Sequence, residues 1–394
     1  MPFRASAFAD LLKPLDRRAI GRAVAAHGGD HGVGRGDQAW TCERHLKTLL
    51  FAQWSGLGSL REIETALGAQ GRSLYHLNLR APRRSTLSDA NTHRPAAVFR
   101  DIAAMLIPVA ARELRREGAA LIRLLDATPI PLDGSAFAWA EGTARTHGLK
   151  LHLVHDPREN RPVWFELTSA KVDDITAGRR VALEPGATYV FDKGYTDYGW
   201  WSEIMDAGAY FVTRRKRNAH RRGVTEARPA DAGILADRTL KIGHRQARGG
   251  APLNPLYDKT LREIVVERPD HDEPLNLLTN DLKRPAAEIA RLYKERWEIE
   301  LLFKWIKQNL ELRSFLGRSE NAVRIQIYVA IIAFMLLRIL HHTTARSFKD
   351  STTLLLAQIR IALFNPFSLR RAATPPPKPP ALRQPNPQAS FAFA

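Results

Sequence analysis

Apolar and polar positions divide the chain into stretches of different period. Between residues 44 and 67 the apolar side chains Leu46, Leu49, Leu50, Leu57, Leu60 and Ile63 recur near helical spacing, which predicts helix. Gly56-Leu57-Gly58 interrupts the pattern, so two helices joined by a turn are expected. Ser59 followed by Glu62 is a capping-box pair suited to starting the second. Residues 1–115 as a whole read as helical. From residue 119 the period changes. Residues 119–126 are an apolar run ending in Asp126, residues 149–155 alternate, and residues 162–168 give a third strand. The short links between them predict an antiparallel meander. A short helix is expected over 173–181 and a fourth strand over 187–192, ending in Asp192. Four more strands, at 210–213, 238–242, 261–267 and 275–279, are separated by Pro, Gly and Asp turns and read as a β-rich insertion. A long helix over 285–310 follows, then an apolar one over 322–341. From Thr374 the chain is Pro-rich, and an extended or disordered tail is expected. No internal repeat is found.

Charge changes this picture. Among 394 residues, 59 Lys+Arg against 41 Asp+Glu leave a formal charge of +18. A field of that sign attracts polyanions, and nucleic acid is the usual one, because each neutralised phosphate releases a counterion. A protein from a generally basic proteome would carry the same charge, so composition alone leaves both readings open. The helix pair at 44–67 suits either a DNA groove or ordinary packing. The run Thr213-Arg214-Arg215-Lys216-Arg217, with Arg221 and Arg222, is either a DNA-facing patch or a solvated loop. Cys42 is the single cysteine. It excludes a disulfide framework or a Cys-based zinc site within one chain, and fits a reducing, cytoplasmic compartment. The N-terminus carries no apolar signal core. The longest apolar run, 327–337, is too short to span a bilayer and reads as a buried helix.

The candidate chemistry lies in acids. Asp126 and Asp192 both follow apolar strand segments. A carboxylate at a sheet edge is costly to bury unless paired or bound to a cation. Two together repel, and a hard divalent cation such as Mg²⁺, which takes oxygen ligands, relieves that repulsion. Such residues also simply begin turns or cap helices. The helix at 285–310 adds a third acid. At about 100° per residue, Tyr293, Arg296, Glu300 and Lys307 share one stripe roughly 60° wide. Leu292, Ile299, Phe303 and Ile306 form the apolar stripe beside it. A phenol and two cations flanking an acid suit a phosphate held over a metal. The plainer alternative is an Arg296–Glu300 helix salt bridge.

The spacing Tyr293-x2-Arg296-x3-Glu300-x6-Lys307 resembles the YREK signature of the Insertion Sequence 4 family of DDE transposases. Leu125-Asp126-Ala127-Thr128 resembles that family's first-Asp motif, and Phe191-Asp192-Lys193-Gly194-Tyr195 its second. The segments 278–281, 314–317, 58–63 and 84–91 also look like the family, so the likeness covers most of residues 1–345. The resemblance implies an α/β, ribonuclease-H-like fold, a mixed sheet with flanking helices. It further implies a helical N-terminal domain (1–115) serving DNA binding, a catalytic domain in two parts (116–195 and 286–370) and a β-rich insertion between them (196–285); the Pro-rich tail (371–394) matches no part of the family pattern. Asp126, Asp192 and Glu300 would be the catalytic, metal-binding acids, holding two Mg²⁺ ions for which Mn²⁺ can substitute. Tyr293, Arg296 and Lys307, assisted by Lys193, would bind phosphates. The implied partners are double-stranded DNA, as terminal inverted repeats and target, and further copies of the chain in a dimer or higher multimer. The implied place of action is the bacterial cytoplasm, at the nucleoid. A silent DNA-binding descendant or a nuclease of the same fold are the competing readings. In one respect the chain departs from the family: no tryptophan lies between Trp201 and Trp297 to stack a flipped base. Tyr210, Phe211 and Tyr257 are the available substitutes.

Overall fold

The computed structural model describes residues 6–34, 36, 39–115, 118–142, 147–228, 233–246, 253–269, 271–310, 312, 314–344 and 352–364; the Pro-rich stretch 371–394 lies outside them. Six helices lead: α1 (Ala7–Leu12), α2 (Arg17–Ala26), α3 (Cys42–Ser55), α4 (Leu60–Gly68), α5 (Arg84–His93) and α6 (Ala96–Leu114). The break between α3 and α4 falls where Gly56 takes φ 70° and ψ 37°, a left-handed cap that glycine adopts without steric cost. Ser59 then accepts from the Glu62 amide at 3.2 Å, while the Glu62 carboxylate accepts from the Gly58 amide at 2.9 Å. The capping box forms with its return bond shifted one residue towards the turn. α3 is buried nearly all round. Its Arg44 donates to the Ala39 and Asn78 carbonyls and its Lys47 to the Leu77 carbonyl. These cations face the protein interior, so α3 packs as a core helix.

The strands follow: β1 (Ile122–Pro131), β2 (Gly148–Asp156), β3 (Arg161–Ser169), then α7 (Asp174–Gly178), β4 (Thr188–Val190), α8 (Tyr198–Asp206) and β5 (Tyr210–Arg214). β6 (Arg221–Arg228), β7 (Ile234–Ile242), β8 (Leu261–Val266) and β9 (Leu275–Thr279) complete the set among the described residues. All join one sheet of order β3-β2-β1-β4-β5-β9-β8-β7-β6. β4 is parallel to β1 and to β5, and the other neighbours are antiparallel. The strands within 196–285 therefore extend the central sheet. β6 escapes the sequence pattern because Arg221, Arg222, Glu226 and Arg228 mask any alternation. It is an edge strand, where charge discourages pairing with another chain.

β1 does not end at Asp126. It continues to Pro131, paired with β2 as far as Gly148. Beyond Leu124 it has no β4 partner on its other side, so the missing amide hydrogens of Pro129 and Pro131 break no ladder there. The helix expected over 285–310 is two, α9 (Ala286–Glu295) and α10 (Trp297–Asn309). At the junction Arg296 N donates to Tyr293 O and Ile299 N to Arg296 O. Both bonds span three residues, tighter than the α pattern, so the stripe is bent at Arg296.

α11 (Glu320–Thr344) and α12 (Thr352–Ala362) close the fold. α11 is long and apolar enough to cross a membrane by composition, yet 89% of its apolar window is buried inside the protein. It packs on α1, α3, α5, α6, α12 and β3. The N-terminal helices and the C-terminal ones thereby share one core, which includes Phe8, Leu46, Phe99, Val329 and Leu336. The opposite sheet face packs an aromatic cluster of Tyr189, Phe191, Trp200, Trp201 and Phe211.

Candidate active site

Strand alternation aims the first acid. Leu124 and Ile130 enter the helical core and Leu125 the aromatic one, so Asp126 points to the helical side. Asp192 follows β4, and the aromatic core pins its turn through Phe191 and Tyr195, 0% and 2% exposed. Its Oδ1 accepts from the Gly194 amide at 2.7 Å, and its carbonyl accepts from Thr213 Oγ1 at 3.2 Å. Glu300 lies in the first turn of α10, where the helix dipole favours an anion.

Arg296 ties strand to helix. One guanidinium nitrogen donates to Glu300 Oε1 at 2.6 Å and the other to Asp126 Oδ2 at 3.4 Å. About two turns further along, Lys307 donates to Thr128 Oγ1 at 2.6 Å and to the Pro129 carbonyl at 2.8 Å. Sequence reasoning assigned Thr128 no role. Two residues beyond Asp126 on the same strand face, it receives the lysine. An open cleft of about 690 Å³ lies here, lined by Asp126, Thr128, Glu300, Lys304, Lys307 and Gln308 among others. Tyr293 is buried beside it, its ring centre 5.9 Å from the Arg296 guanidinium carbon. Arg214, at the end of β5, is close enough for its charge to act on the Tyr293 phenol.

The other basic residues divide by partner. Lys193 and Lys216 are exposed. Arg215 and Arg221 hold the fully buried Glu263, at 2.6 and 3.1 Å, and Arg217 pairs with Glu273. Arg222 lies 3.5 Å over the Tyr257 ring and donates to two carbonyls. Phe211 is fully buried. Of the three suggested substitutes for a base-stacking tryptophan, Tyr210 and Tyr257 are left, both half-buried, with one face of the Tyr257 ring under Arg222.

Burial pushes the Asp126 carboxyl up to about 6. The negative charges of Asp192 and Glu300 add to this, against the pull of the Ala127 amide and Arg296. Burial likewise raises the Tyr293 phenol and lowers Lys307. A folded-state pKa above the unfolded value means the folded protein holds its proton more tightly. Stability from this group is full below the unfolded pKa, near 3.8, and is lost as pH rises through about 6. The cost at neutral pH is on the order of 3 kcal/mol. Asp126→Asn is therefore expected to raise the melting temperature of the metal-free protein at pH 7.5, with a gain that shrinks towards pH 4.5. Melting curves at both pH values check this, and an equal difference at both would show an ordinary carboxylate.

A family model described as Transposase DDE domain matches residues 117–336. The chain belongs to the DDE transposase family. A second model, described as a domain of unknown function, matches residues 4–80. A protein named as a transposase, y4zB of Sinorhizobium fredii, is 42% identical over 323 residues, covering 79% of this chain and 87% of that one. The transposase named for element IS4SA of Synechocystis is 27% identical over 303 residues, 75% and 82% of the two chains. That named for IS5377 of Geobacillus stearothermophilus is 25% identical over 267 residues, 66% and 68%. These relatives agree with the Insertion Sequence 4 signature. Among solved structures, piggyBac transposase in a synaptic complex with hairpin DNA matches with a TM-score of 0.50 over 95% of this chain and 83% of that one, at 11% identity. The fold is ribonuclease-H-like, and the chain is a transposase.

Transposases of this family use divalent metal ions, and the residues here suit one. The donors are carboxylate oxygens, as a hard cation requires. Burial and the negative charges of Asp192 and Glu300 weigh against an ionised Asp126, and a cation there would relieve both. At Gly194 a Cβ would lie 2.9 Å from Asp192 Oδ1, so glycine keeps the space beside that acid open. Among the described residues no three His, Cys, Asp or Glu side chains yet stand close enough to hold one ion. Arg296, between Asp126 and Glu300, supplies the positive charge in its stead.

Proposed function

We propose that this transposase cuts transposon ends and joins them to target DNA, with Asp126, Asp192 and Glu300 as its metal-binding acids. The observation that carries the reading is the Arg296 bridge, which brings an acid of β1 and an acid of α10 to one cleft wall beside Lys307. Two Mg²⁺ ions, or Mn²⁺ in their place, would be held by the three carboxylates; bound there, they activate the attacking hydroxyl and neutralise charge on the transferring phosphate. In the cut, water attacks the phosphorus and a 3′-hydroxyl leaves. In the joining step that hydroxyl attacks a target phosphate, and the target strand's own 3′-hydroxyl leaves. Arg296, whose Nε is buried and unpartnered, would be free to hold a phosphate oxygen once cations neutralise the acids. Lys307 and Thr128 line the far end of the cleft, and Tyr293 and Lys193 flank the scissile strand. Joining must follow cutting without release, so two or more copies bridge two terminal inverted repeats. The enzyme acts where DNA lies, at the bacterial nucleoid. Cleavage of a labelled end in Mg²⁺, abolished by chelator, is the test; cleavage that persists under chelation would overturn the reading.

The contribution of basic residues to binding follows from their partners. Replacing Lys193, Arg214 and Lys216 together by alanine is expected to weaken DNA binding to all sequences. It should flatten the salt dependence by about 0.9 for each phosphate no longer neutralised. Arg215→Ala should instead lower stability, because it strips a partner from the buried Glu263. Titrations at several salt concentrations, with melting curves, separate the two. An unchanged slope in the triple variant would make that patch a solvated loop.

A further inference from the structure

Asp174, which opens α7, is not one of the three acids. Its Oδ1 accepts from Lys150 Nζ at 3.0 Å, and the same ammonium donates to the Val172 carbonyl at 2.8 Å. Its Oδ2 turns towards Asp192. Asp174 Oδ2 and Asp192 Oδ1 lie 3.6 and 2.9 Å from the point that a Gly194 Cβ would occupy. A fourth carboxylate thus faces Asp192 across the space glycine leaves open.

His152 is the second observation. It is 1% exposed and pairs with Ala127, next to Asp126, in the β1–β2 register. Its Nε2 meets Thr168 Oγ1 at 2.9 Å, and that hydroxyl donates to the Ser169 carbonyl at 3.0 Å. The hydroxyl has one proton to give, so Nε2 carries the hydrogen and Nδ1 is a bare acceptor. Nδ1 is buried without a partner, 3.9 Å from Asp174 Oδ1. Asp174 Oδ1 is already held by Lys150, so Nδ1 alone is left without a donor, and a water donating to it and to the carboxylate relieves this at ordinary hydrogen-bond lengths.

We propose that Asp174, backed by His152, is a positioning residue of the cation centre, accepting from water on the ion that Asp192 holds. The inference rests on Asp192 being a metal ligand. A hard cation keeps several of its waters, and groups that accept from them tune affinity; losing one typically costs about 10- to 100-fold. Lys150 fixes the Asp174 carboxylate and offsets part of its charge.

Mn²⁺ binding to the DNA-free protein, measured by calorimetry with melting curves in chelator as the control for folding, tests it. Asp192→Ala is expected to lose binding and Asp174→Asn to weaken it about tenfold. Lys150→Gln should bind more tightly than wild type, since it removes a repelling charge. If Lys150 and Asp174 were only a structural ion pair, breaking it from either side would leave Mn²⁺ affinity unchanged. Wild-type affinity in Asp174→Asn, with binding lost in Asp192→Ala, overturns this inference alone. Wild-type affinity in both overturns the metal-site reading too. Should Asp174→Asn melt early, Lys150→Gln decides: unchanged or weaker binding there contradicts the proposal.

Discussion

Alanine at Asp126, Asp192 or Glu300 is expected to slow single-turnover cleavage of a labelled transposon end by at least about 10³-fold, roughly 4 kcal/mol of barrier. DNA affinity at matched salt should stay within about threefold, because binding rests on cations meeting phosphates. The three acids come from β1, from the turn after β4 and from α10. No one element would be disturbed by all three changes, so a shared loss of chemistry with retained binding would mark a shared site. A variant that cleaves near the wild-type rate would remove its residue from that site.

Arg296→Lys is expected to fold, to bind DNA, and to cleave about 10²-fold more slowly at saturating DNA and Mg²⁺. Lysine keeps the charge but loses the planar fork that now reaches Glu300 and Asp126 at once. A simple exposed helix pair would contribute well under ~1 kcal/mol, and its loss would pass unnoticed. Arg296 is different. Its side chain is 17% exposed, and it sits at the α9–α10 junction. An interaction that strengthens as charge builds on the phosphate lowers rate more than affinity when it is removed. Single-turnover rates for Arg296→Lys and Arg296→Ala measure this. Wild-type rates in both would leave Arg296 a structural salt bridge.

Much of this arrangement is legible along the chain because it is local. The break at Gly56, the Ser59–Glu62 cap and the strands around Asp192 follow from turn chemistry and periodicity over a few residues. Tyr293, Arg296, Glu300 and Lys307 read as one stripe because helix geometry converts spacing into direction. What escaped was non-local or carried no breaker. Nothing in Glu295-Arg296-Trp297 marks a bend, as each residue is compatible with helix. The continuation of β1 through Pro129 and Pro131 depends on β4 stopping short, which is a property of a neighbour. Period 2 identifies strands but not their partners, so the join of β5 to β4 could not be read. The pairing of Arg215 and Arg221 with Glu263 turns an apparent basic loop into partly structural charge. Asp174 reads as an ordinary helix start, and the fold alone brings it opposite Asp192.

Strand transfer tests the central claim most directly. A labelled, pre-cleaved end bearing a free 3′-hydroxyl is incubated with the protein, Mg²⁺ and a target plasmid, and the products are sequenced across the junction. Joined molecules are expected that depend on Mg²⁺, vanish with chelator and are lost in Glu300→Gln. Cleavage of ends without any joined product, or joining that survives chelation, would contradict the claim.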